Sequence, residues 1–242
     1  NLVGLRGTRG LSSRYGIIPL SSTRDIGGPL ARSTRDLATM LDATVGYDAH
    51  DPQTAESYEK IPESYLSNLK ETDLDSLAVG VLSDWFGDQP QNRAVNAVIE
   101  NVLKSLEAKG TKVKRLTSAR LKQLWTETRS ASAFFLDGYE FKRYISVYLQ
   151  QFPSLPVQSF SEILKSEQLE PTVAKGLSTF LDPRFDSKLT ALKTHEEARR
   201  VRTQLLSLLH DQEVDFLVYP TATEEAAPVG AEQSHFSCML AA

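Results

Sequence analysis

The sequence predicts an α/β fold, in which helices pack against a largely buried β-sheet. Two apolar runs, residues 77–82 (LAVGVL) and 214–219 (VDFLVY), have the composition of buried strands. Apolar residues recur at helical spacing over residues 95–106, and residues 112–116 then have strand character. A strand, a helix and a second strand in this order predict a βαβ unit with parallel strands.

The first part of the chain is predicted to contain two short extended segments and one helix. Residues 2–5 have the composition of a strand, and residues 16–20 form a second extended segment that contains a proline. Ser33 precedes Asp36 by three positions, a variant of the capping box that predicts a helix start. One apolar stripe then follows up to a glycine at position 46, and its members are Leu37, Met40, Leu41 and Val45.

Residues 47–72 are polar and rich in turn signals, so we expect an irregular surface segment there. Residues 121–152 are predicted to be helical and aromatic. Shorter helices are expected near residues 160–166 and 171–180, and a longer one over residues 195–210. The aromatic residues of this region either pack in the core or line an apolar substrate pocket, and the pocket candidates are Phe134, Phe135, Tyr139 and Tyr144.

Composition narrows the class of protein. The chain of 242 residues shows no linker and no internal repeat, so we expect a single domain over residues 1–242. Its 27 Lys+Arg and 31 Asp+Glu give a net charge of −4, which argues against a nucleic-acid partner. The densest basic cluster, around Arg199 and Arg200, suits the solvent face of an amphipathic helix. A lone cysteine favours a reducing compartment, and we expect a cytoplasmic location and no membrane span.

No complete catalytic motif stands in the sequence. The four histidines lack a nearby G-x-S-x-G elbow. Ser67 and Lys70 match S-x-x-K, the spacing of a Ser–Lys hydrolase, but one such match is expected by accident in a chain this rich in serine and lysine. The pairs Ser12-Ser13 and Ser21-Ser22 lie in turns, and turn formation explains them without catalysis.

Metal and nucleotide sites have still weaker signals. His235 and Cys238 form an H-x-x-C fragment without a second pair of ligands. The sequence contains neither a Walker loop nor a G-x-G-x-x-G after a strand. We therefore expect no metal and no cofactor.

The first 52 residues resemble a known family. Residues 3–10, 13–20 and 22–38 resemble three motifs of the amidase signature family. These motifs are V-G-L-(K/R)-P-T-x-G, S-x-x-G-(I/V)-x-P-(L/I) and S-x-x-D-T-x-G-P-(M/L)-A-R-(T/S)-x-x-D-(L/A)-A. Residues 77–90 and 214–230 are similar to later segments of the family. The stretch DGYEFKRYISVYLQQFP resembles a helix of its peptide-amidase-like and fungal members.

This resemblance implies a mixed β-sheet flanked by helices, incomplete at both ends, in an enzyme that hydrolyses carboxamide C–N bonds through an acyl-enzyme. The family uses a nucleophilic serine, a serine in a cis peptide and a lysine. None of these three positions can be matched here, because they lie upstream of the residue corresponding to Asn1. The resemblance therefore assigns no catalytic residue to the chain, and we expect it to be inactive by itself.

The resemblance also implies a substrate-side loop, whose members here are Thr23, Arg24, Asp25, Gly27 and Gly28. Its partner in the complete enzyme is a small amide. Gly7 replaces a proline of the family and Ile26 a threonine, and Arg24 stands where glutamine or leucine is frequent. Arg24 either contacts an acidic substrate or faces solvent, and solvent is the favoured interpretation. The alternative for the whole chain is an inactive remnant that binds a small molecule or a protein.

Overall fold

The computed structural model describes residues 2–129, 132–166 and 168–231. They form two compact units: the first comprises Asn1–Glu71 and Phe134–Ala191, and the second Thr72–Ala133 and Leu192–Ala242. The expectation of a single domain stays a prediction. The strands are β1 (Val3–Gly4), β2 (Leu30–Ala31), β3 (Ala78–Leu82), β4 (Lys112–Leu116) and β5 (Phe216–Val218). The α-helices are α1 (Thr34–Thr44), α2 (Arg93–Glu107), α3 (Ala119–Arg129), α4 (Ser132–Leu149), α5 (Phe160–Lys165), α6 (Pro171–Ser178) and α7 (Lys188–Asp211).

The first unit begins with an antiparallel pair. Strand β1 confirms the strand predicted at residues 2–5, and its partner is β2, with Val3 opposite Ala31. The pairing continues into a hydrogen bond of 3.1 Å from the Leu5 amide to the Pro29 carbonyl. A Cβ at position 28 would overlap the carbonyl oxygen of Leu5, so the chain needs glycine there. Residues 16, 17 and 20 lie in turns or bends and no strand forms over residues 16–20, so the predicted second extended segment is not a strand.

Helix α1 begins where the capping pattern predicts. The Ser33 hydroxyl accepts a hydrogen bond of 3.1 Å from the Asp36 amide. Leu37 and Leu41 are buried against Ala31. Met40 is 40% exposed, so the predicted stripe was one residue too wide. The residues that pack on this cluster, Leu11, Val45 and Tyr65, leave Met40 outside it. The segment after α1 is irregular apart from a 3-10 helix at Pro52–Ser57, as predicted.

An aromatic cluster forms the other core of the first unit. The predicted aromatic helix is present as α4, which contributes Phe141, Ile145 and Leu149 to this core. The other buried members come from α5 and from the 3-10 turns after α6, and they are Phe160, Phe180 and Phe185. The interpretation of the aromatic helix as part of the core is therefore confirmed for these three residues of α4.

The second unit contains a parallel sheet. Strand β3 pairs with β4 on one side and with β5 on the other, and Val79 lies opposite both Val113 and Phe216. Strand β3, α2 and β4 are the predicted βαβ unit. The apolar composition of residues 214–219 favours a central strand, but within the described residues β3 is central and β5 lies beside it. The difference is visible in burial: Val79 and Val81 are completely buried, whereas Phe216 is 41% exposed.

Both faces of this sheet are covered. On one face, Val79 and Val81 pack with Leu103 of α2. On the other, Leu82 packs with Val201 of α7, in a cluster that also includes Trp85, Leu116, Leu121 and Val214. The α/β fold class with a largely buried sheet is thus confirmed. The described strands of this sheet are all parallel, and the antiparallel pairing belongs to β1 and β2.

Two further predictions concern surfaces. Arg199, Arg200 and Arg202 are exposed along α7, as the amphipathic pattern predicts. Helix α7 begins seven residues before the predicted start at His195 and ends at Asp211. Across the described ranges, no helix combines the length and the hydropathy that a membrane span requires.

Candidate functional site

The predicted substrate-side loop is a closed turn. We call residues 20–25 the anchored loop. The Asp25 carboxylate oxygen Oδ2 accepts hydrogen bonds of 2.8 Å from the amides of Leu20 and Ser21. The Ser21 carbonyl accepts from the amides of Arg24 at 3.2 Å and Asp25 at 2.9 Å. Ser21, which precedes the motif serine Ser22, and the motif aspartate Asp25 therefore fix the two ends of the same turn.

A buried carboxylate of α4 holds the anchored loop. Glu140 is 3% exposed and accepts a hydrogen bond of 2.6 Å from the Ser21 hydroxyl. It also accepts from the Thr23 amide at 3.2 Å and from the Thr23 hydroxyl at 3.0 Å. Hydrogen bonds of this kind offset the cost of burying a carboxylate. Ser21, which is 1% exposed, is engaged with Glu140 and has the position of a scaffold residue.

The side chain of Arg24 points into the protein. It forms an ion pair with Asp137, three residues before Glu140 in α4, and the two side chains are 16% and 21% exposed. The expectation that Arg24 faces solvent was wrong, because Asp137 offers it an internal partner. Burial lowers the pKa of Arg24, and the nearby carboxylates of Glu140 and Asp25 act in the opposite direction.

The two loop glycines lie beyond the turn. A Cβ at Gly27 would lie 3.4 Å from the Ile17 side chain, and Gly28 lies against the Leu5 carbonyl. The structure therefore brings Thr23, Arg24 and Asp25 together around α4. Gly27 and Gly28 lie in the segment that connects the anchored loop to β2.

The predicted pocket residues Tyr139 and Tyr144 do not share one pocket. Tyr144 is 42% exposed and lines a cavity of about 190 Å³ in the first unit, whereas Tyr139 does not line it. The ring of Tyr139 carries the Arg143 guanidinium at 3.7 Å. The side chain of Phe134 lies outside the described residues. Phe135, the fourth aromatic candidate, stacks on Phe185 at 5.4 Å and belongs to the core.

We call the cavity beside Tyr144 the tyrosine cavity. Its lining includes Ser22 and Asp25 of the anchored loop. The rest of its lining comes from three segments of the first unit: Arg14, Tyr15, Gly16, Ile17 and Pro19, then His50 and Asp51, then Tyr144, Val147, Tyr148 and Gln151. Substrate-sized pockets in proteins are usually larger, so this cavity suits a single-ring group.

An ion pair borders the tyrosine cavity. Arg14 donates from Nε and Nη2 to the two carboxylate oxygens of Asp51, each at 2.9 Å, and from Nη1 to the Ser22 carbonyl at 2.5 Å. The hydrogen bond from the Arg14 side chain holds the pKa of Asp51 below its ordinary value. This bidentate pair connects the anchored loop to the irregular segment after α1.

A second acidic residue organises the rim of the cavity. Asp48 accepts a hydrogen bond of 2.6 Å from the Ser13 hydroxyl and one of 2.9 Å from the His50 amide, and it contacts the His50 ring. These hydrogen bonds, that of Ser13 first, lower the pKa of Asp48 to about 2. The carboxylate lies between the serine and the histidine. The cluster therefore lacks the serine–histidine hydrogen bond that activates a nucleophile.

The S-x-x-K candidate from the sequence does not form a site. Ser67 lies in an exposed turn, where its hydroxyl donates to the Ser64 carbonyl at 3.3 Å, so the S-x-x-K match lacks the helix that would align it with Lys70. His235 and Cys238 lie outside the described residues. Within the described ranges, no cluster of three or more His, Cys, Asp or Glu side chains could hold a metal ion.

The sequence matches the family described as Amidase over residues 1–241. The chain belongs to the amidase family. This is a family of amide C–N hydrolases, and the resemblance stated from the motifs is thereby confirmed.

The relatives of the chain include two kinds of protein. One is a glutamyl-tRNA(Gln) amidotransferase subunit of Chromohalobacter salexigens, 27% identical over 99% of this chain and 48% of the relative. The corresponding Acinetobacter baylyi protein is 38% identical over 109 residues, 45% of this chain and 22% of the relative. The solved structure of peptide amidase from Stenotrophomonas maltophilia is 25% identical, with a TM-score of 0.73, and covers 91% of this chain and 45% of that enzyme. The chain therefore spans about half the length of the C. salexigens protein and of the S. maltophilia enzyme, while the match to the A. baylyi protein is shorter.

Sequence reasoning missed the acids of α4. Asp137 and Glu140 lie in the stretch DGYEFK, which was recognised only as part of a family helix. The three-residue spacing that puts both acids on the same side of the helix was the available signal. Nothing in the sequence indicated which loop they would meet, because more than 100 residues separate them from Ser21 and Arg24.

Proposed function

We propose that this chain is the part of an amidase that follows the catalytic serine in sequence and that it supports the substrate side of the active site. The observation that carries the proposal is the set of hydrogen bonds that fix the anchored loop, residues 20–25. Its Ser21 and Thr23 are bound by the buried Glu140, and its Asp25 closes the turn. A loop fixed in this way can meet a substrate without reorganising, and such preorganisation is what catalysis requires of groups around a reacting carbonyl.

The proposed reaction is acyl transfer to serine followed by hydrolysis. The serine oxygen attacks the amide carbonyl carbon, its proton passes through the second serine and the lysine to the departing nitrogen, and ammonia or an amine leaves. Water then cleaves the ester and releases the carboxylic acid. The three reacting side chains belong to positions before Asn1 in the family. The proposed contribution of Thr23, Arg24, Asp25, Gly27 and Gly28 is the shape of the substrate side.

The proposed substrates are small amides, with peptide amides the first to be tested. The peptide-amidase-like helix stretch and the likeness to the S. maltophilia peptide amidase support this choice. The further proposals from the sequence are a fungal-like source and a cytoplasmic location. By itself the 242-residue chain is proposed to have no turnover, since it offers no match to the family's serine, second serine or lysine.

The experiment begins with the coding sequence upstream of Asn1. We expect it to encode G-G-S-(I/V)-R-x-P, preceded by a serine and a lysine. The product of that longer reading frame should release ammonia from a peptide amide, and the change Glu140→Gln should lower kcat. The matched control is Glu63→Gln, which changes an exposed carboxylate of the same unit. Ammonia release by the 242-residue chain alone, abolished by a substitution within it, would contradict the proposal.

A binding function without catalysis is the second candidate, and exposed apolar side chains around β1 and β2 favour it. Leu2 is 65% exposed, Val3 38% and Leu30 67%. Apolar side chains exposed in one region mark interaction surfaces more often than scattered ones do. This candidate predicts binding of an apolar dye and self-association that rises with concentration, and both should fall in the variant Leu30→Ser. Absence of both from the 242-residue chain would exclude it.

A further inference from the structure

We propose that the tyrosine cavity binds a flat organic cation, an aromatic or guanidinium-type group that carries N–H donors. The cavity is accessible, because four of its lining side chains are partly open to solvent: Tyr15 at 49%, Ile17 at 45%, Tyr144 at 42% and Val147 at 55%. Its volume of about 190 Å³ accommodates one ring with a small polar substituent. Binding here is a property of the 242-residue chain itself and does not depend on the proposed amidase reaction.

The lining combines aromatic rings with apolar surface. Tyr15, Tyr144 and Tyr148 contribute three phenol rings, and the Tyr15 ring lies 4.5 Å from that of His50. The Tyr148 hydroxyl donates to the Gly16 carbonyl at 3.3 Å, which fixes this ring at the wall of the cavity. Aromatic faces attract a cation through their quadrupole and also bind flat apolar groups. These rings alone would therefore accept either a neutral or a positively charged ring.

The charges of the lining select the cation. Arg14 is matched by Asp51, and the nearby Arg24 by Asp137. Among the described residues, Asp25 is the carboxylate of the lining that forms no ion pair, although Arg14 and Arg24 are near enough to interact with its charge. The hydrogen bonds that it accepts from the described part of the chain, those of the Leu20 and Ser21 amides, both end at Oδ2. Its Oδ1 is therefore available to an N–H donor of a ligand.

Three probes of similar shape and different charge test whether the charge of the ligand determines its affinity for the cavity. Benzamidine is a cation, benzamide is neutral and benzoate is an anion, and all three have one ring with a planar substituent. Titration of the 242-residue chain should shift amide NMR signals of residues 14–25 and 144–151. We expect benzamidine to bind with a Kd on the order of 1 mM, at least about tenfold tighter than benzamide, and benzoate to bind more weakly still. Raised salt should weaken benzamidine and leave benzamide unchanged.

Substitutions at two residues of the lining assign the contacts. Asp25→Asn keeps an oxygen for the two loop amides and removes the charge, so it should weaken benzamidine about tenfold and leave benzamide within about twofold. Tyr144→Leu should weaken benzamidine about threefold, with Tyr144→Phe close to the wild type. The matched control is Tyr58→Leu, at a tyrosine that is 67% exposed and outside the cavity. Tyr144→Leu decides the question if the aspartate variant does not fold.

Equal affinity for the three probes, or shifts confined to other parts of the chain, would overturn the proposal. A negative titration leaves the proposed amidase function untouched, because that function is read from ammonia release. Binding of benzamidine in the titration would, in contrast, predict a substrate preference for the proposed amidase. Since Asp25 belongs to both the cavity and the proposed substrate-side loop, a peptide amide with a cationic side chain should then be preferred over its neutral isostere by the longer gene product.

Discussion

In the second unit, apolar side chains at regular spacing hold a parallel sheet, whereas in the first unit buried polar side chains hold the loops around α4. Val79 and Val81 of β3 are completely buried and touch only apolar neighbours in their cluster. Glu140 is almost as buried, but its partners are hydroxyl and amide groups. Apolar packing is tolerant of small adjustments, while a buried carboxylate requires its donors at hydrogen-bond distance.

This difference has a functional meaning. A sheet that is stabilised by burial of apolar side chains occurs in proteins with many different reactions, so its residues do not indicate which reaction a protein catalyses. A loop that depends on a buried carboxylate holds its backbone in one conformation, which suits a surface that must present a fixed shape to a small molecule. The first unit is therefore where we expect substitutions to separate function from stability.

The largest effect is expected in the sheet. Leu82→Ala removes a side chain that is 1% exposed and leaves a cavity among Trp85, Leu116 and Val201. The loss of transferred area and the cavity together should lower the free energy of unfolding by about 2–5 kcal/mol. Urea unfolding measures it. Leu206→Ala is the matched control in α7, where the leucine is 49% exposed, and its effect should stay within about 0.5 kcal/mol.

A smaller loss of stability but a larger local change is expected at α4. Glu140→Ala leaves the hydroxyl of Ser21 and the amide and hydroxyl of Thr23 without their acceptor, which should cost about 1–3 kcal/mol. Exchange of the Thr23 amide hydrogen should accelerate, whereas that of Val81 in β3 should change no more than global stability requires. If the Thr23 amide keeps its chemical shift and its exchange rate, Glu140 does not hold the anchored loop.

The regular elements were predictable because periodicity and capping report local physics. The run LAVGVL and the apolar stripe of α2 placed the βαβ unit to within a few residues, and Ser33 placed the start of α1. The order of the strands was less predictable. An apolar run indicates burial on both faces, but it does not distinguish a central strand such as β3 from a neighbour such as β5.

The site could be predicted only where motifs carried it. The resemblance marked the loop at residues 23–28, and the structure adds what holds this loop, namely Glu140, Asp137 and the Arg14–Asp51 pair. These partners are distant in sequence, and an acid in a helix has the same local pattern whether it meets solvent or a buried hydroxyl. This explains why Arg24 was assigned to solvent, and why Phe135 was counted among pocket residues although it stacks in the core.

The pH dependence of the first unit should reflect Asp48. Its pKa of about 2 is lower than the value near 3.9 that the unfolded chain has, so its stabilising effect is complete above about pH 5 and is lost as the pH falls toward 2. Asp48→Asn should flatten the fall of the urea midpoint over this range. The carboxyl ¹³C signal of Asp48 reports the titration directly, and Ser13→Ala should move its midpoint upward. A midpoint near 4 in the wild type would contradict the prediction.

The smallest effect is expected for an ion pair of the second unit that has good geometry but little burial. Arg115 of β4 donates to both carboxylate oxygens of Glu100 in α2, at 2.9 and 2.5 Å, and the two side chains are 52% and 33% exposed. Because solvent screens such a pair, Glu100→Gln should change the free energy of unfolding by about 0.5 kcal/mol or less, and less again in 1 M salt.

The comparison is with Asp51→Asn, which disturbs the ion pair of Asp51 with Arg14 in the first unit, where the exposed fractions of the Arg14 and Asp51 side chains are 19% and 9%. That variant should cost several times more and keep most of its effect in salt. Equal effects would mean that buried polar anchoring does not distinguish the first unit from the second.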